Sequence, residues 1–460
     1  MTSTRLRALL GSAASVGAGY LVLGGAGYVF LAVASRVYDD AEYSALASVY
    51  LIVNIIGPGL FAAVEQETSR HMATRLARDE DVRPVMRRLG LISGSLFGGV
   101  ALLTLALSPV LLPDVLNGDV LLLAGLLIAS AAYAVVSVTR GNFGGRRAFG
   151  RYGTSVGTEG TVRLAAGVVV AALALGGMAV AGGASAYGLA FCLAPLVAVL
   201  VTARWFVGDV RASQGTPAPA EPIGPLARSV GLLTVAWGLS LAIANAAPVV
   251  VRALLPNDAA GDATAATFAS AVVLARIPLF VFQGAQSLVL PSFARAAAKA
   301  DEDGDPSALR RAVRPALLLV AAVGVLALLV SAVLGHWLGR IAFGPDFTSS
   351  NGLVTALMVG TVAGMAVQIV QPALLALGRH RWVAGGWVLG AVVFAAAFAL
   401  PFTPVTDAVI AQLASGAVTV GVLGVVLFRA LRTVPPSPSP GTQPPGTQPP
   451  TQEFTDAQPA

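Results

Sequence analysis

The 460-residue chain is 56% hydrophobic and only 11% charged, with a mean hydropathy of +0.78. Soluble domains carry about 25% charged residues, so these proportions exclude a water-soluble globular protein and predict a polytopic helical membrane protein. A formal charge of +6 would point to nucleic acid in a soluble chain, but here its placement matters more than its sum; the single cysteine, Cys192, excludes an intramolecular disulfide.

In chain order, MTSTRLRALLGSAASVGAGYLVLGGAGYVFLAVASR starts like a secretory signal. Its apolar stretch is too long for one and is expected to remain as a first span. Further apolar runs, each long enough to cross roughly 30 Å of hydrocarbon, recur along the chain. Together they predict twelve helices at residues 12–34, 43–66, 88–112, 118–139, 155–176, 179–203, 226–254, 264–290, 314–338, 352–377, 382–401 and 405–429. The breaks LPDVLNGD, LGGMAVAGGAS, LPNDAAGD, FGPDFTSSNG and PFTPVTD carry the Gly, Pro, Asn and Asp that end helices.

The charges orient these spans. Alternate connections hold Arg5 and Arg7; Arg70, Arg75, Arg78, Arg83, Arg87 and Arg88; then Arg140, Arg146, Arg147 and Arg151. Arg204, Arg211 and Arg228 follow, then Arg295, Lys299, Arg310, Arg311 and Arg314, then Arg379 and Arg381, then Arg429 and Arg432. The opposite connections hold only Arg36, Arg252 and Arg340. The positive-inside rule predicts both termini in the cytoplasm, and the plasma membrane is the expected location.

The stretch RGNFGGRRAFGRYGTSVGTEGTVR, residues 140–163, falls between the fourth and fifth predicted spans. A phosphate-cradling glycine loop needs a preceding strand, and none is predicted. Arg140 to Arg151 therefore reads as a topology determinant on a tight cytoplasmic loop, its glycines keeping the turn short, with no nucleic-acid partner. Segment 211–225, RASQGTPAPAEPIGP, reads as a flexible cytoplasmic linker. It separates an amino-terminal six-helix bundle (1–210) from a carboxy-terminal one (226–432). Residues 433–460, with two copies of GTQPP, are expected to form a disordered cytoplasmic tail.

The halves look related. SRVYDDAEYSALASVYLIVNIIGPGLFAAVEQETSR and VRALLPNDAAGDATAATFASAVVLARIPLFVFQGAQSLVLPSFAR share an order of features. Each has an external arginine, an acidic or Asn-rich turn, an Ala-rich helix, a mid-helix proline (Pro58, Pro278) and a closing arginine. On SRVYDDAEYSALASVY, GGRRAFGRYG, PLFVFQGAQSLVLPSFARAA, GRIAFGPDFTSSNGLV and ALLALGRHRW, the chain resembles the multidrug/oligosaccharidyl-lipid/polysaccharide flippase superfamily, within it the polysaccharide-biosynthesis (O-unit) branch. The resemblance implies an all-α fold of two pseudo-symmetric six-helix bundles around a central cavity, with alternating access. It also implies a polyprenyl-diphosphate-linked oligosaccharide or polysaccharide precursor as substrate.

Such a substrate needs a cationic cavity, and ionisable residues inside spans are the informative ones. Arg163 lies within the fifth predicted span and Arg276 within the eighth, one deep guanidinium per half, suited to phosphate. Glu159, four residues before Arg163, is either its structural ion-pair partner or a gating group. The amides Asn54, Asn245, Gln283, Gln286, Gln368 and Gln371 are candidate glycan contacts or interhelical hydrogen bonds. Glu65, Glu67 and Arg70, closing the second predicted span, are candidates for gating or ion coupling, or simply a solvated helix end. His71, His336 and His380 lack metal-ligand spacing, no nucleophile–base pair points to an enzyme, and no cofactor is expected.

A lipid-linked glycan flippase is the leading expectation, with membrane lipids and a glycan polymerase or glycosyltransferase as possible partners. A cation-coupled multidrug exporter is the nearest alternative, disfavoured by a first span without a carboxylate. The Pro-rich tail keeps a third function in view, a non-transporting scaffold of a cell-envelope glycan synthesis complex.

Overall fold

The computed structural model describes residues 3–179, 182–213, 215–217, 219, 221–279, 282, 307–377 and 379–432. Its helices are α1 (Ser3–Val37), α2 (Asp40–Asn54), α3 (Ala62–Ala77), α4 (Arg83–Ala106), α5 (Val120–Gly145), α6 (Phe149–Leu175) and α7 (Gly183–Arg211). They continue as α8 (Ile223–Leu254), α9 (Ala259–Ala275), α10 (Ser307–Phe343), α11 (Asn351–Ala376), α12 (His380–Ala397) and α13 (Pro404–Ala430). Eleven helical stretches among the described residues are long and apolar enough to cross a membrane, and the apolar helix Arg381–Ala397 is a shorter twelfth. The rest of the eighth predicted span beyond Leu279, Phe282 apart, and the tail 433–460 lie outside the described residues.

Four of the five predicted breaks cap the helices that follow them, LGGMAVAGGAS before α7 supplying no side-chain cap, and Asp39 adds a cap ahead of α2. Asp39 accepts from the Glu42 amide ahead of α2, Asp119 from Leu121 and Leu122 ahead of α5, and Asp258 from Gly261 ahead of α9. Ser350 and Thr403 do the same for α11 and α13, the latter with Pro404 in its first turn. Each side-chain oxygen satisfies a backbone N–H that the first helical turn leaves open. At the arginine-rich ends the helices outrun the apolar windows: 43–66 becomes Asp40–Ala77 and 118–139 becomes Val120–Gly145. Hydropathy marks only the lipid-buried part of a helix, whereas the backbone ladder continues through charged residues.

Asp40–Ala77 is one continuous span because α2 and α3 are joined by a π-helical turn, Ile55–Phe61, that accommodates Pro58. Proline lacks the N–H that would continue the ladder, and a π-turn absorbs the defect. In the amino-terminal bundle α1 packs along α6, α5 lies between α3 and α7, and α4 covers α5. In the other bundle α10 packs on α11, and α13 lies against α11, α12 and α8.

The bundles meet where α2, the π-turn and α3 pack against α8, and α2 packs against α9. Of these, α2 and α9 are the helices that follow the matching turns of the two halves. Tyr43 and Ser270 share a 2.7 Å hydrogen bond there. Toward the ends poor in arginine, Arg36 donates to the Ile341 and Ala342 carbonyls closing α10. Nearer the arginine-rich ends, Ser229 donates to Glu67 at 2.8 Å.

The segment expected to be a flexible linker is docked at its described residues. Thr216 and the 79–81 turn exchange backbone hydrogen bonds of 2.7 and 3.0 Å. A Cβ on Gly215 would lie 2.4 Å from the Glu80 carbonyl carbon, so only glycine permits this approach. Arg75, buried on α3, donates to the carbonyls of Asp81 (2.8 Å) and Pro219 (2.7 Å) and to both carboxylate oxygens of Glu221. The proline-rich composition carried no sign of this, because the anchor is an arginine far away in the chain.

Candidate functional site

A charged cluster sits inside the amino-terminal bundle. α5 runs unbroken through Arg140 to Gly145, so Arg140 belongs to a helix and is buried, not part of a cytoplasmic loop. Glu159 on α6 is 0% exposed. Its carboxylate accepts from Arg140 at 2.7 Å on one oxygen and pairs with Arg163 at 2.8 Å on the other. Tyr133 donates to Glu159 and accepts from Arg163 at 3.2 Å, while Ser155 accepts from the Arg140 Nε at 3.1 Å. Buried carboxylates persist when opposite charges and donors surround them, and here both oxygens are taken. The Arg163 guanidinium lies 3.9 Å from the centroid of the Phe191 ring, a cation–π contact. Its Nε has no hydrogen-bond partner.

Glycines beside the cluster bring α5 close to α3. A Cβ on Gly141 would lie 2.5 Å from the Thr68 Cβ, and one on Gly145 2.4 Å from the Met72 Cβ. These two residues, four apart on α5, are the close-approach face toward α3, not the tight loop expected of them. Glycine spacing of four in an apolar helix is a packing signal readable in the sequence. Gly57 in the π-turn likewise leaves room for the Tyr133 ring, which approaches to 2.4 Å of where a Cβ would stand.

Glu65 and Glu67 go to different places. Glu65 accepts from the Tyr152 hydroxyl at 2.5 Å, and Tyr152 bonds Tyr20 at 2.9 Å. A cavity of about 410 Å³ lies at this end of the bundle, lined by Glu65, Gln66, Ser69, Arg70, Arg140, Gly144 and Tyr152. Glu67 instead faces the other bundle, bonded to Arg70 (2.6 Å) and Ser229 (2.8 Å) with His71 at 3.4 Å. Neither carboxylate belongs to a plain solvated helix end.

Arg276 ends α9 at the bundle interface and is 8% exposed. One terminal nitrogen donates to Asn245 on α8 at 2.7 Å; the other is buried without a partner. No carboxylate pairs with it among the described residues. Tyr28 donates at 3.1 Å to the Val273 carbonyl, the acceptor of the Arg276 backbone N–H.

The structure thus joins Arg163 to Glu159 and Arg276 to Asn245. The two arginines share no ligand among the described residues. Gln283 and Gln286 lie outside the described residues. Asn54 bonds the Tyr50 carbonyl on its own helix at 2.8 Å, and Gln371 accepts from the Trp387 indole at 2.9 Å. Arg140, Tyr133 and Tyr50 were not among the expected site residues. Among the described residues, His, Cys, Asp and Glu nowhere gather in threes that could hold a metal ion.

No protein-family model matches the chain. It is 28% identical over 410 residues to the uncharacterized protein Rv1510 of Mycobacterium tuberculosis (strain ATCC 25618 / H37Rv), with 88% of each chain covered. Among solved structures it is similar to an inward-facing multidrug resistance MATE family transporter of the MOP superfamily, at a TM-score of 0.66 and 14% identity over 91% of this chain and 96% of that one. It is also similar to a mutant of the Vibrio cholerae MATE transporter VcmN, at a TM-score of 0.61 and 16% identity over 94% of this chain and 98% of that one. At such identities the likeness is one of architecture: the chain has the fold of the MATE transporters of the MOP superfamily.

Proposed function

We propose that the protein is a membrane exporter working by alternating access, and that its cargo is anionic: an oligosaccharide or polysaccharide precursor carried on a polyprenyl diphosphate. The arginine-rich helix ends would face the cytoplasm, where such precursors are assembled. The observation that carries this reading is Arg276, a guanidinium at the bundle interface with one nitrogen unpartnered and no carboxylate pairing with it among the described residues. A buried unpaired cation is costly, and a phosphate is the ligand that guanidinium binds best. Arg163 would contribute a second, half-neutralised positive charge from the other bundle.

A cation-coupled multidrug exporter is the second reading, favoured by the multidrug transporters that share the fold. Against it, both oxygens of Glu159 are engaged by Arg140 and Arg163, which leaves that carboxylate little capacity for a cation. Reconstitution into liposomes separates the two. The anionic reading expects flipping of a fluorescent short-chain polyprenyl-diphosphate glycan that Arg276→Ala abolishes. Efflux of a lipophilic cationic dye, without diphosphate-glycan flipping, would overturn it.

A further inference from the structure

We infer that the cavity at the arginine-rich end of the amino-terminal bundle is a sugar site, where Glu65 and Arg140 together hold hydroxyls of one ring of the cargo's glycan. This rests on the glycan-cargo reading and gives it a point of contact separate from Arg276.

The cavity measures about 410 Å³, within the roughly 300–1,000 Å³ of small-molecule sites. Glu65, Gln66, Ser69 and Arg70 of α3 line it, with Arg140 and Gly144 of α5 and Tyr152 of α6. Gln66 and Arg70 are exposed, so the cavity is open to the outside of the bundle. Two charged groups in it are each held in place on one side and open on another. One Glu65 oxygen accepts from Tyr152 at 2.5 Å, and Tyr20 fixes the Tyr152 hydroxyl at 2.9 Å. The second Glu65 oxygen has no hydrogen bond among the described residues. Arg140 is 5% exposed, with its Nε on Ser155 and its Nη2 on Ser155 and Glu159. Its Nη1 has no partner among the described residues. The ion pair of Arg140 is with Glu159, not with Glu65, so cavity space lies between one open acceptor and one open donor.

The balance of charge selects the ligand. Arg70 is committed to Glu67 at 2.6 and 3.0 Å and does not tip the cavity toward anions. A small anion would be repelled by Glu65, and a small cation by Arg140. A hydroxyl donates once and accepts twice, so a neutral polyhydroxylated ring can donate to Glu65 and accept from Arg140. Both are charge-assisted bonds, stronger than those between neutral groups. Ser69 and Gln66 add neutral donors and acceptors, and Tyr152 adds the apolar surface that small-molecule sites carry beside their few polar groups. Of the three parts of the proposed cargo, the diphosphate meets a carboxylate here and the polyprenyl chain meets two charges. Only the glycan suits the pair.

The test uses the full-length protein in lipid nanodiscs and saturation-transfer NMR. The probes are the methyl glycosides of glucose, galactose, mannose, rhamnose and N-acetylglucosamine, with farnesyl diphosphate as a separate probe of the anionic end. Wild type is expected to bind at least one glycoside, and Glu65→Gln to bind it about 10-fold more weakly. Gln66→Ala, at an exposed lining residue, gives a weaker loss in the same readout and serves if Glu65→Gln does not fold. If wild type binds farnesyl diphosphate but none of the glycosides, the sugar site falls and the anionic-cargo reading stands. If a glycoside binds and both variants match wild type, the sugar sits elsewhere and the inference falls. If Glu65→Gln loses the glycoside while wild type ignores farnesyl diphosphate, the sugar site stands and the diphosphate part of the cargo reading falls.

Discussion

Arg75, near the end of α3, grips Glu221 at the foot of α8 across 146 residues of sequence, with guanidinium–carboxylate distances of 3.1 and 3.3 Å. The same guanidinium holds two backbone carbonyls, so the connection between bundles is fastened to the amino-terminal one just before α8 begins. Arg75→Ala removes a buried donor from all of these acceptors and should cost about 1–3 kcal/mol. The measurable signs are a lower melting temperature and new protease cleavage between Arg211 and Glu221. Glu221→Gln should cost less, because that carboxylate is a third exposed and partly screened.

The docking should also respond to acid. Partial burial pushes the Glu221 carboxyl up, but the hydrogen bond from Arg75, a backbone hydrogen bond and the charges of Arg75 and His71 together outweigh it and hold it below its ordinary range. A depressed carboxyl contributes stability above its unfolded pKa, about 4.3 for Glu, and loses it as pH falls through the folded value. Amide exchange of residues 211–222, corrected for intrinsic rates, is expected to stay flat from neutral pH down to about 5 and to rise below about 4. In Arg75→Ala the acid-dependent rise should disappear; its persistence would assign it to another group.

Glu159 is bound by two cations, which makes its substitutions unequal. Glu159→Gln leaves Arg140 and Arg163 buried without their shared counter-charge and should cost about 3–5 kcal/mol. Arg163→Gln leaves the Arg140–Glu159 pair intact and should cost clearly less. A double-mutant cycle between Glu159 and Arg163 measures their coupling. Equal single-mutant costs would contradict a carboxylate shared by both.

Gly145→Ala places a methyl 2.4 Å from the Met72 Cβ and 2.7 Å from the Ser69 carbonyl oxygen. Neither can retreat without moving α3, so a loss of about 1–3 kcal/mol is expected. Gly150→Ala, with nothing within 4 Å, is the control and should leave the melting temperature unchanged.

Arg276→Met should raise the melting temperature while abolishing diphosphate binding. It replaces a buried guanidinium lacking a counter-charge among the described residues with an apolar chain of similar reach. A fall in melting temperature would mean that Arg276 is structurally paired instead.

The sequence by itself determined the membrane character, the approximate number of apolar helices and most of the turns that cap them, because burial against lipid is a property of each local window. It also offered the pairing of Glu159 with Arg163 as one of two readings, since residues four apart on one helix are neighbours wherever the helix goes, and the structure shows that pair. Only the tertiary structure decided that Arg140 closes the same cluster, that Arg75 fastens a proline-rich connection, and that the Tyr50 ring packs against Gly27 and Phe191. Those contacts depend on how close two helices approach and at what rotation. Glycines such as Gly27, against the Tyr50 ring, and Gly141 and Gly145, against α3, allow such close approaches by what they omit, and charge or hydropathy patterns along the chain do not register them.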